Sequence, residues 1–165
     1  MSNLNPTAQK LRLQLLSPWK LKFFFWKRLP SLLFWRVKLT HLDADRSEVQ
    51  IPFIKKTQNP FRSVYFAAQI GAAEFSTGVH AVLAVEGKGK ISMLVTSMRA
   101  EFYKKAAETI IFECHDGKAV RECVDQAISS GEGKTITMIS EGKNSAPAVR
   151  IREESFITGV VIGLD

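Results

Sequence analysis

Between Ser63 and Val85 the alternation of polar and apolar positions breaks down: 23 residues carry one formally charged side chain, Glu74. Small residues (Ala67, Ala68, Gly71, Ala72, Ala73, Gly78) mix with Phe66, Ile70 and Phe75, and no polar stripe runs along the segment. A helix that is apolar all round is buried on all sides. The small residues would let a sheet approach its axis closely. Strand signals surround this segment. Val49, Ile51 and Phe53 alternate with polar neighbours, a turn follows around Thr57–Pro60, and Ile91–Met98 and Glu108–Cys114 are apolar and β-branched. Asp116-Gly117 marks a turn before an amphipathic helix with Val120, Cys123, Val124, Ala127 and Ile128 on one face, ended by Gly131 and Gly133. Further strands are predicted near Thr135–Ser140, Ala148–Ile151 and Phe156–Leu164. The pattern predicts one α+β domain: a strongly curved antiparallel sheet wrapped around one central helix.

The N-terminal stretch from Ala8 to Lys38 reads differently. It mixes cations with Trp19, Phe23, Phe24, Phe25, Trp26, Phe34 and Trp35, and Pro18 and Pro30 divide it into two short predicted helices. Residues 1–38 form this arm and residues 39–165 the domain. Its apolar runs are interrupted by Lys and Arg and fall far short of the roughly 20 residues of a membrane span. They also lack the small-residue cleavage site of a secretory signal.

Charge sharpens the division. The net charge is +7, yet residues 1–38 hold eight basic side chains and no acidic one, leaving 23 − 8 = 15 basic against 16 acidic side chains in the rest. A basic arm on a near-neutral body argues against a nucleic-acid-binding protein, whose positive charge spreads over a folded face. Two readings of the arm stand. Its aromatics pack on the body as a cap or subunit contact, or they lie as an amphipathic helix on anionic lipid in peripheral membrane contact. The cap is favoured, because seven large aromatics bury far more area than weak lipid contact needs. Cys114 and Cys123 have the spacing of neither a metal knuckle nor a redox pair, and are expected as free thiols in a reducing, cytoplasmic setting.

An ionised carboxylate in a low-dielectric core costs several kcal/mol unless it is paired or its pKa rises. Glu74 is therefore either half of a structural pair or a general acid or base in a cleft. The stretch NPFRSVYFAAQIGAAE around it resembles the signature of hotdog-fold acyl-CoA thioesterases of the phenylacetate-degradation type. That signature is Asn, five residues, His-Gly-Gly, six residues, then Asp or Glu. It falls here on Asn59, on Tyr65-Phe66-Ala67 in place of His-Gly-Gly, and on Glu74.

The resemblance implies a hotdog fold over roughly residues 40–165, and thioester hydrolysis of an acyl-CoA or acyl-carrier substrate without cofactor or metal. It assigns Glu74 to activate water or attack the carbonyl, Asn59 to orient the water and the Phe66 backbone N–H to polarise the carbonyl. Tyr65, Arg62, Ala67 and Thr77 would contact substrate. In the resembling enzymes the site forms between two subunits, which implies a homodimer or a dimer of dimers. The departures carry chemistry of their own. Tyr65 cannot act as a base near neutral pH, side chains replace glycines that admit substrate to the backbone, and Gly78 stands where a hydroxyl often follows the acid by one turn. A non-catalytic acyl-chain or acyl-carrier binding module of the same fold is the alternative.

Other motifs carry less. Gly131-Glu132-Gly133-Lys134-Thr135 resembles the end of a phosphate-binding loop but has Ile128 where a glycine is required and follows a helix. Gly87–Lys90 reads as a flexible turn. There is no Gly-x-Ser-x-Gly elbow, and His41, His80 and His115 lack metal-ligand spacing.

Overall fold

The structure, a computed structural model, describes residues 4–144 in full and residues 154–164 as a backbone strand. Three helices, not the two expected, open the chain: α1 (Pro6–Leu16), α2 (Pro18–Arg28) and α3 (Pro30–Phe34). Each begins with a proline in its first turn. Proline has no N–H to leave unpaired there, and its fixed φ already suits a helix. Pro30 therefore starts a third helix as well as ending the second. Asn5 caps α1 by accepting from the Ala8 N–H at 2.8 Å, and its amide donates to the Glu86 carbonyl at 2.7 Å. Arg12 donates to the Leu42 carbonyl at 2.9 Å. The arm is thus tied to the body by hydrogen bonds as well as by packing.

The body follows as β1 (Lys38–Leu42), β2 (Ser47–Ile51), α4 (Phe66–Val85), β3 (Ile91–Ala100), β4 (Ile110–Cys114), α5 (Gly117–Ser130), β5 (Lys134–Asn144) and β6 (Glu154–Leu164). The six strands form one antiparallel sheet in the order β1-β2-β4-β5-β6-β3. Val49 stands opposite Phe112 in the β2–β4 pair, and Val95 opposite Val160 in the β3–β6 pair. Strand β1 lies partly in the segment read as arm, because Lys38–Leu42 has too few apolar positions to announce a strand. The strand expected near Ala148–Ile151 lies outside the described residues.

Helix α4 packs against β2, β4, β5 and β6, with α5 on one flank and α1 and α3 of the arm on another. The main core joins Leu15, Leu21, Phe25 and Leu32 of the arm to Val49, Ile51, Ala72, Phe75 and Phe112 of the body. Phe25 meets Phe75 edge-on, with ring centroids 5.0 Å apart. Each fully buried side chain of this size is worth about 1.5–3 kcal/mol. The small residues of α4 admit more than the sheet: a Cβ at Gly71 would stand 2.9 Å from the Trp35 ring. Buried serines close the polar accounts. Ser47 donates to the Ser76 carbonyl at 2.7 Å, and the Ser76 and Ser140 hydroxyls bond at 2.7 Å.

Helix α4 is not buried all round, as its composition suggests. Phe66 is exposed at its start, and Glu74 and Gly78 are half-buried along one line. The expected α5 face holds, with Val120, Cys123, Val124 and Ala127 buried and Ile128 left outside. Gly131 ends it in the left-handed conformation at φ 69°, donating to the Ala127 carbonyl. Cys114 and Cys123 are free and buried. Among the described residues, no helix is long and apolar enough to cross a membrane.

Candidate functional site

The half-buried line of α4 faces an open-mouthed cavity of about 240 Å³ lined by α1, α2, α4 and β3. Leu11 and Leu15 of α1, Phe24 of α2, Val79 and Val82 of α4, and Met93 and Val95 of β3 supply apolar walls. Glu74 and Thr77 are its polar members. No hydrogen bond or ion pair reaches the Glu74 carboxylate among the described residues, and burial raises its pKa above the usual carboxylate value. The structural-pair reading of Glu74 therefore finds no partner there.

Thr77 lines the cavity, but its hydroxyl donates to the Glu74 carbonyl at 2.9 Å, one turn back on the helix. A Cβ at Gly78 would stand 3.1 Å from Glu74 Oε1. Gly78 therefore leaves room beside the carboxylate where a larger residue would lean on it.

The remaining predicted residues gather at the start of α4, away from this cavity. Asn59 accepts from the N–H groups of Phe61 (3.0 Å) and Ser63 (3.1 Å), and its amide donates to Ser63 Oγ at 2.8 Å. These bonds build the turn into the helix, with Arg62 exposed on it at φ 59°. Tyr65 and Phe66 are exposed and meet edge-on at 4.9 Å, and Ala67 is half-buried behind them. Phe66 is the first residue of α4, where a helix leaves its N–H groups without intrahelical acceptors. Eight residues separate it from Glu74, about 12 Å along the axis. Within one chain, a carbonyl held by the Phe66 N–H lies out of reach of the Glu74 carboxylate.

Sequence reasoning missed the arm's share of the cavity wall. Leu11 and Leu15 are one helical turn apart and carry the signal of an inward face, but what they face is set by tertiary packing. His80, set aside on spacing, is 2% exposed, its Nε2 has no hydrogen-bond partner, and burial lowers its pKa to about 4. It packs under α5, where a Cβ on Gly117 would stand 2.8 Å from its Nδ1. No group of three or more His, Cys, Asp or Glu side chains able to hold a metal occurs among the described residues.

The sequence profile of DUF4442, a domain of unknown function, matches residues 18–140. The chain belongs to that family. The match takes in α2 and α3 of the arm as well as most of the sheet. No curated protein matches the chain. Among solved structures it is similar to a protein of unknown function from Chlorobaculum tepidum, with TM-score 0.74, 19% identity, 90% of this chain and 94% of that one. A Pseudomonas aeruginosa protein of unknown function, called a "Probable Thioesterase", aligns with TM-score 0.72 and 15% identity over 90% of this chain and 97% of that one. A thioesterase from Haemophilus influenzae aligns with TM-score 0.64 and 8% identity over 90% and 91%. At these identities the likeness speaks to fold. The fold is the hotdog fold that the signature around Glu74 led one to expect.

Proposed function

We propose that this DUF4442 chain hydrolyses acyl thioesters, with Glu74 as its catalytic carboxylate and acyl-CoA or an acyl carrier as substrate. The observation that carries the proposal is Glu74 itself: a carboxylate without a described partner, desolvated, on the wall of a cavity whose lining is apolar apart from it and Thr77. A raised pKa makes a carboxylate a better base, and the apolar walls suit an acyl chain.

In the proposed step Glu74 takes a proton from water as the oxygen attacks the thioester carbonyl carbon. The tetrahedral oxyanion then collapses, the C–S bond breaks, and the thiolate leaves with the proton returned by Glu74. An N–H at a helix N-terminus is well placed to stabilise such an oxyanion. The 12 Å or so between Phe66 and Glu74 on one helix favours an arrangement in which the N–H and the carboxylate come from different chains. The sheet supports pairing with a second copy. Its edge strand β3 is ten residues long, with Leu94 and Val95 exposed, and an edge of that kind is a ready pairing surface. Asn59 holds the turn that presents Phe66, and Tyr65, Arg62 and Ala67 flank that helix start as substrate contacts.

The test is thiol release from acyl-CoAs of several chain lengths. Turnover that falls by two or more orders of magnitude in a folded Glu74→Gln protein is the expected result. Undiminished turnover in that variant would remove Glu74 from the reaction. Tight acyl-CoA binding without thiol release by the native chain would overturn hydrolysis in favour of a binding module, the reading encouraged by Tyr65 and Phe66 standing out where the signature has histidine and glycine.

A further inference from the structure

Helix α2 has two faces with opposite employment. Leu21 and Phe25 point inward and are buried. Trp19, Phe23 and Trp26, spaced at i, i+4 and i+7, form one outward stripe and are 69%, 60% and 66% exposed. Phe23 and Trp26 lie 5.8 Å apart, ring centre to ring centre. So much exposed aromatic surface on one helix marks an interaction face.

Beside the stripe lies a furrow of about 340 Å³ between α1 and α2. Leu11, Leu15 and Phe24 form its floor, and Lys20, Lys27 and Arg28 stand at its rim. Those three floor residues also wall the Glu74 cavity on their other side.

We infer that this face of α2 docks on an anionic phospholipid surface. Its chemistry matches both parts of that partner: aromatic rings for the boundary between headgroup and acyl chain, cations for the negative headgroups. The charge pattern selects lipid over a second copy of the chain. Residues 1–38 hold eight cations and no acid, so a symmetric contact through this face would set cations against cations. The rest of the chain carries 15 basic and 16 acidic side chains, so its net charge does not draw a cationic face toward a second copy. Mixed aromatic and cationic side chains at helical spacing are also the composition of interfacial helices. Docking through the outer face leaves the inner face free to cap the body, so the two roles of the arm coexist. The inference does not depend on Glu74 chemistry, because docking is read without turnover.

The test is sedimentation of the full chain with vesicles of phosphatidylcholine alone or mixed with phosphatidylglycerol. Binding should require the anionic lipid, weaken as salt rises, and shift tryptophan emission to the blue as Trp19 and Trp26 leave water. The triple variant Lys20→Gln, Lys27→Gln, Arg28→Gln should lose roughly a hundredfold in vesicle affinity, at about a factor of five per cation. Trp19→Ala with Trp26→Ala should remove the blue shift, and circular dichroism confirms that both variants fold. Failure to bind anionic vesicles at low salt would overturn the inference. So would equal binding to neutral vesicles, or native affinity in the folded triple variant. Tighter binding to a DNA duplex than to the anionic vesicles at the same salt would assign the face to nucleic acid and overturn it as well.

Discussion

Glu74 and His80 sit six residues apart on α4, and burial acts on both in the same way: it disfavours the charged form. The carboxyl of Glu74 is pushed up and the imidazole of His80 down. What separates them is the space in front. Glu74 opens on a cavity of about 240 Å³, whereas His80 is sealed beneath α5 with Gly117 against its ring. Desolvation alone therefore does not distinguish a reactive group from a structural one. On the proposed function, room for a reactant does.

The largest effect that would break this comparison is catalytic. Glu74→Gln should reduce thioester hydrolysis at least a hundredfold, about 3 kcal/mol or more of barrier. Stability follows a definite sign. A carboxyl whose folded pKa lies above its unfolded value stabilises below the unfolded pKa, and loses that contribution as pH rises through the folded one. The Gln variant should therefore match or exceed the native chain in thermal melts at neutral pH, and lose that advantage in acid.

The second effect runs the other way. The pKa of His80 falls from 6.5 to about 4 on folding. Its contribution is complete above pH 6.5 and is lost as pH drops toward 4, on the order of 3 kcal/mol in total. His80→Gln should flatten the difference in denaturation midpoint between pH 7 and pH 4.5 while sparing turnover. A His80 variant without turnover but folded at pH 7 would erase the distinction between the two sites.

Smaller changes sharpen it. A Cβ at Gly117 would lie 2.2 Å from the Ala44 carbonyl and 2.9 Å from the Asp45 Cα, both backbone. Gly117→Ala should thus cost about 1–3 kcal/mol by overpacking, read by urea titration. Gly78→Ala meets only the Glu74 carboxylate, at 3.1 Å. That side chain yields into open space and the helix gains from Ala, so stability should change by less than about 1 kcal/mol. Thioester turnover should still fall, because the carboxylate has been displaced.

What could be read from the sequence tracks what is local. The one charge in Ser63–Val85 marked both the central helix and Glu74, and the spacing to Asn59 pointed to the hotdog fold. The apolar face of α5 showed at helical period. Strand β1 hid behind its polar residues, and the walls Leu11, Leu15 and Phe24 became walls only when the arm met α4. Composition suggested that the arm's aromatics bury together. The phase of α2, which starts at Pro18, divides its aromatics, leaving Phe25 inside and Trp19, Phe23 and Trp26 outside, and Phe34 at the end of α3 is exposed as well.

The order of strands in the sheet bears on how this chain is made. Strand β3 is joined to the sheet only through β6, and the two are separated in sequence by β4, α5 and β5. During synthesis β3 leaves the ribosome before its one neighbour, β6, has been made. At roughly 5–20 residues per second it waits several seconds for Glu154–Leu164 to follow. Over that interval ten residues that include Met93, Leu94 and Val95 remain unpaired. Folding of this half is therefore late, slow for its size because its pairings are distant in sequence, and exposed to aggregation until β6 closes on β3.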